Sequence, residues 1–157
     1  MVFDRLSSLG FLWMAIIFGF PAATSLPLGF IAEVVTSKNA ITGTFAPNPR
    51  NNQQPMLMLV HKSGVVSVLE NPDDSPDTID ILDIGDQMCT DTERGLQSLA
   101  IHPQFGVDNH SVYLYYTKFK RGCLADDSEN GPWNVVERVE MDPVTLLLNF
   151  GAGQEIW

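Results

Sequence analysis

Beyond Pro27 the apolar residues alternate with polar ones or gather in short runs, and no stretch carries the i, i+3, i+4 stripe of an amphipathic helix. This pattern predicts an all-β chain. Phe30 to Thr36 is a first candidate strand and Ala40 to Phe45 a second, followed by a loop rich in Pro, Asn and Gln from Ala46 to Pro55. Met56 to His61 leads through Lys62-Ser63-Gly64 into Val65 to Leu69, a hairpin in which Gly64 supplies the positive φ of a tight turn. Asn71 to Asp77 reads as a turn-rich loop and Thr78 to Ile84 as the next strand. The cadence then returns. Leu96 to Ile101, a loop with Pro103, Gly106 and Asn109, and Val112 to Thr117 are followed by a polar insertion from Lys118 to Asn134, and Val135 to Met141 and Thr145 to Phe150 close the series.

Counted from Ala40, these segments form two successive sets of four short antiparallel strands, about 50 residues apart, which is the period of propeller blades. A β-sandwich also consists of short strands with turn signals at this spacing, so periodicity leaves both architectures open. Phe30 to Thr36 remains over, as a strand that closes a ring against a last blade would be. Blades cover one another's apolar faces, so two of them make a partial propeller, and the expectation is a chain that stops mid-architecture.

The N-terminal residues differ from the rest. Met1 to Ser8 holds Asp4 and Arg5, Leu9 to Phe20 is almost wholly apolar, and Pro21-Ala22-Ala23-Thr24-Ser25 follows. This is the grammar of a signal peptide over residues 1–25, cleaved before Leu26, and it predicts a secreted product; a membrane enters only if the segment stays as an uncleaved anchor. Export gives meaning to Cys89 and Cys123, the two cysteines of the chain, which pair with each other or with cysteines elsewhere. It also gives meaning to Asn109-His110-Ser111, an N-glycosylation sequon in a turn-like stretch. Lys+Arg total 9 against Asp+Glu 19, a formal charge of -10 that repels phosphate backbones and argues against a nucleic-acid partner. The acidic residues are dispersed between the apolar runs and read as a solvated loop face rather than a calcium site.

The most distinctive stretch is Thr92-Glu93-Arg94-Gly95-Leu96-Gln97-Ser98-Leu99-Ala100-Ile101-His102-Pro103-Gln104-Phe105, followed by Val112-Tyr113-Leu114-Tyr115-Tyr116-Thr117. It resembles the signature of the glucose/sorbosone dehydrogenase family, which includes Hedgehog-interacting-like proteins. Phe30-Ile31-Ala32-Glu33-Val34-Val35 is similar to that family's opening strand, and Met58 to Val66 to its next hairpin, so the resemblance runs in order from Phe30 to Met141. It implies a six-bladed propeller of which residues 26–157 are an N-terminal part. In the bacterial enzymes of the family a hydride passes from sugar C1 to pyrroloquinoline quinone, with calcium beside the quinone at the propeller mouth. The resemblance therefore implies first a parent that oxidises sugars with pyrroloquinoline quinone. Relatives of the Hedgehog-interacting kind bind extracellular proteins on the same scaffold without redox activity, which is the alternative, so the parent's partner is a sugar or an extracellular protein ligand.

Where the enzymes commonly carry a sugar-pocket Gln, this chain has Glu93, the position the resemblance assigns to substrate binding. A carboxylate beside an anionic quinone changes the local electrostatics unless it is paired, for example with Arg94. The plainer reading of Glu93-Arg94-Gly95 is a turn leading into a strand, with two solvent-facing charges. His102 precedes Pro103, where the backbone is held extended, and is expected to be a structural corner rather than a general base. The catalytic His and the quinone-binding Arg of the enzymes belong to later blades, so the resemblance assigns no catalytic residue and no cofactor to residues 1–157 on their own. Met56, Met58, Tyr113, Tyr115 and Tyr116 are expected to pack between strands. His61, His102 and His110 have no metal-ligand spacing with the cysteines.

Overall fold

The computed structural model describes residues 2–6, 15–16, 30–72, 77–119, 121–124 and 131–157. The described chain is all-β, apart from one 3-10 turn at Gly85–Gln87. It divides into two compact units, Met1–Asn39 and Ala40–Trp157.

The first unit holds a three-stranded antiparallel sheet. Its strands are β1 (Val2–Leu6), β2 (Ala15–Ile16) and β3 (Phe30–Val34), with β1 between the other two. The expected strand at Phe30 is therefore present, and its described partner is β1, with Val2 opposite Val34 and Leu6 opposite Phe30. Of the expected 1–25 leader, only β1 and β2 are described, and the expected cleavage point lies outside the described residues. Among the described residues no helix is long and apolar enough to cross a membrane.

The second unit contains two four-stranded antiparallel sheets, each a simple meander. The first is β4 (Thr42–Asn48), β5 (Asn51–Val60), β6 (Val65–Leu69) and β7 (Ile79–Asp83), in that spatial order. The second is β8 (Leu96–Ile101), β9 (Ser111–Lys118), β10 (Trp133–Met141) and β11 (Leu148–Glu155), again in order. β4 and β5 lie against β8, and β7 lies near β11, so the sheets stack first strand on first and last on last. One core joins them. Met56, Met58, Val60, Val66 and Val68 from the first sheet pack in the same cluster as Leu96, Val112, Leu114, Tyr116, Val135 and Val139 from the second. The period of two along β9 and β10 sends alternate side chains to this cluster, which is why residues from Val112 to Tyr116 alternate between buried and half-buried.

The β5–β6 hairpin forms where the pattern predicts it, and its glycine has a steric reason. Gly64 has φ +102, and a Cβ there would lie 2.7 Å from the Gly85 backbone nitrogen, so the 3-10 turn can approach only a glycine. Two segments differ from expectation. Ala46 to Pro55, expected as a loop, is mostly a hairpin: β4 runs on to Asn48, β5 starts at Asn51, and Pro47 faces Pro55. Prolines are tolerated here because β4 is an edge strand and β6 joins β5 only from Leu57 onward, leaving Pro55 with no second ladder to serve. Asn48 makes the tight turn by accepting the Arg50 N–H on its side-chain oxygen at 2.9 Å. The last strand also starts later than Thr145. Asp142 Oδ1 accepts the N–H groups of Val144 and Thr145, both at 2.8 Å, and Leu146 takes φ +65, so Asp142 to Leu147 is a turn and β11 begins at Leu148.

Candidate functional site

The stretch carrying the family resemblance leads into β8 and is tied down from three sides. After the 3-10 turn, Met88 bridges to Lys118 and the Cys89 N–H donates to the Thr117 carbonyl at 2.9 Å, laying the chain along the end of β9. Cys89 is bonded to Cys123, with Cα atoms 5.4 Å apart, so the two cysteines pair with each other and anchor the insertion after β9 to this connection. On the other side, Lys62 from the β5–β6 hairpin donates its ammonium to the Thr92 carbonyl, and the Leu96 N–H donates to the Lys62 carbonyl at 3.3 Å. Gly95 fits between them at φ +143; a Cβ would lie 2.6 Å from the Lys62 oxygen. Thr92 itself sits at φ +40, a conformation costly for a β-branched residue and held here by the surrounding bonds.

Glu93 and Arg94 part company within this turn. Glu93 is exposed, and its backbone carbonyl accepts the side-chain amide of Gln97, the residue at the irregularity between Leu96 and Ser98 in the β8–β9 pairing. Arg94 turns the other way. Its guanidinium donates to the Cys123 carbonyl at 2.6 Å and to Asp91 Oδ2 at 3.4 Å. The cation that could have offset the Glu93 carboxylate is thus committed to the disulfide loop. Among the described residues no three His, Cys, Asp or Glu side chains are grouped to hold a metal.

The remaining sequence candidates lie apart from this turn. His102 sits at the end of β8, where its Nδ1 accepts the Gln104 N–H at 3.1 Å and its carbonyl accepts the Phe105 N–H at 2.9 Å. That arrangement shapes the corner. His61 Nε2 lies 2.9 Å from the Ser67 hydroxyl, which donates to Asp80 Oδ1 at 2.6 Å. The serine proton therefore points to the carboxylate and not to the imidazole, the reverse of what an activated nucleophile requires. Asn109 closes the β8–β9 connection, and its Oδ1 accepts the Ser111 N–H at 2.7 Å.

One group escaped the sequence reading. Glu137 is 5% exposed and accepts the Tyr116 hydroxyl on Oε2 at 2.7 Å, with Phe150 edge-on to the tyrosine ring. Burial first, then the hydrogen bond and charge of Glu137, hold the Tyr116 phenol well above its usual value. The signal was parity: Glu137 shares the inward positions of β10 with Val135, Val139 and Met141.

Compared with models of known protein families and with curated proteins, the chain matches none.

Proposed function

We propose that the two four-stranded sheets are successive blades of an extracellular propeller of the glucose/sorbosone dehydrogenase kind, and that its work is protein binding in the manner of the Hedgehog-interacting branch. The blade reading is supported by the stacking of the sheets, first strand on first and last on last, each a meander in chain order. The Cys89–Cys123 bond accords with an oxidising compartment.

The choice between binding and sugar oxidation rests on one observation. Arg94 is spent on the Cys123 carbonyl and Asp91, which leaves Glu93 as an exposed anion at the position where the enzymes hold sugar beside a quinone. A turn so built is a strut that fastens the disulfide loop, and its outer face presents Asp91 and Glu93 to solvent. With a formal charge of -10, such a surface attracts a ligand with a basic face. The test is a dye-reduction assay on the full secreted product of the gene, supplied with pyrroloquinoline quinone, calcium and a panel of aldoses. No sugar-dependent reduction is expected, from the natural protein or from Glu93→Gln. Sugar-dependent reduction by the natural protein would return the reading to a quinoprotein dehydrogenase.

A further inference from the structure

The sequon Asn109-His110-Ser111 lies where three strands meet, and folding consumes the groups by which such a tripeptide is recognised. The acceptor sequence is defined by a hydroxyl two residues beyond the asparagine, so a glycosyl-transferring enzyme must reach both the Asn109 amide and the Ser111 hydroxyl. In the folded chain Ser111 is 0% exposed. Its hydroxyl donates to Glu140 Oε1 at 2.6 Å and accepts from Arg138 Nε at 3.1 Å, both on the neighbouring β10. The backbone is committed as well. The Ser111 carbonyl accepts the His102 N–H at 3.0 Å, the His110 carbonyl accepts the Met141 N–H at 2.9 Å, and the Asn109 carbonyl accepts the Gly106 N–H at 2.9 Å. Asn109 Oδ1 holds the Ser111 N–H, while the side-chain nitrogen Nδ2 takes no part in that bond.

We propose that Asn109 is an N-glycan acceptor that is competent only before β8, β9 and β10 pair, and that the finished glycan is compatible with the native hydrogen bonds because it occupies Nδ2 alone. The donor is an oligosaccharide carried on a polyprenyl diphosphate. Nδ2 attacks C1 of its first sugar; the N–C1 bond forms, the C1–O bond breaks, the polyprenyl diphosphate leaves with the electron pair, and the amide proton passes to a base of the transferase. Use of the site in a cell rests on the export part of the proposed function; the order of glycosylation and folding does not.

Two arms keep these apart. In the first, the 157-residue chain is translated in the presence of microsomes, and one endoglycosidase-sensitive shift is expected, lost in Asn109→Gln and in Ser111→Ala. In the second, solubilised oligosaccharyltransferase and lipid-linked donor are offered to the unglycosylated chain, either reduced and unfolded or oxidised and folded. The folded sample is defined by protection of the Ser111 amide from hydrogen exchange. Modification of the unfolded sample at least tenfold faster than the folded one is expected. Equal rates, or no modification of the unfolded chain, would overturn the proposal. Modification of the unfolded chain by the soluble enzyme, with no shift in microsomes, would overturn export and leave the order of events standing.

Discussion

The Tyr116–Glu137 pair is the most consequential contact at the scale of single residues, because both groups are buried and each satisfies the other. Replacing Tyr116 by Phe keeps the ring against Phe150 but strands a carboxylate, and such a loss costs about 1–3 kcal/mol. The pair also makes stability depend on alkaline pH. In the unfolded chain a phenol releases its proton near about pH 10, whereas the folded Tyr116 holds it. Above that pH the folded state binds more protons than the unfolded one, so stability falls as pH climbs. Urea titrations at neutral and alkaline pH check this: Tyr116→Phe is expected to be less stable at neutral pH yet to lose less on the alkaline side. An alkaline limb as steep as that of the parent would show that Tyr116 does not govern it.

At the scale of elements, turns decide where strands end. The β10–β11 turn rests on Asp142, whose carboxylate is held below its usual range by the Thr145 and then the Val144 backbone N–H. A depressed carboxylate contributes stability that is present above its unfolded value, near about 3.9, and lost as pH falls through the folded one. Asp142→Ala is therefore expected to lower the melting temperature by a few degrees at neutral pH and to flatten the acid-side loss. Calorimetry from neutral to acid pH reads both. The same element shows why some boundaries were legible and others not. β8 falls at Leu96–Ile101, as the apolar run predicts, and the β5–β6 hairpin announces itself through Gly64. Pro47 and Pro55 read as loop residues because the sequence does not say which strand is at an edge, and Thr145 to Leu147 reads as strand because an aspartate-held turn looks apolar from Val144 onward. Glu137 was hidden for a related reason: a charge on an inward parity is intelligible only once its tyrosine partner lies on the next strand.

At the scale of the whole molecule, the two sheets share one core, and one disulfide ties the connection between them to the insertion after β9. Because Met58 and Leu114 belong to the same cluster, truncating either to Ala is expected to cost about 2–5 kcal/mol and to shift a single unfolding transition rather than split it. The Cys89–Cys123 bond spans 34 residues of chain, and loop entropy assigns it about 4 kcal/mol. The cysteines were visible in the sequence as candidates, but their pairing was not, and neither was the direction of Arg94, which depends on the position of a loop 29 residues away. That dependence can be measured. Arg94 reaches the Cys123 carbonyl only while the disulfide holds the loop in place, so the two interactions should be coupled. Arg94→Ala is expected to cost about 1 kcal/mol in the oxidised protein, the discount from a fully buried charged hydrogen bond reflecting its partial exposure. In a Cys89→Ser, Cys123→Ser background the same substitution should cost only a few tenths, giving a coupling energy of about 0.5 kcal/mol or more. Denaturant melts of the four proteins complete the cycle. An equal cost in both backgrounds would mean that Arg94 is held by Asp91 alone and that the turn leading into β8 does not fasten the disulfide loop.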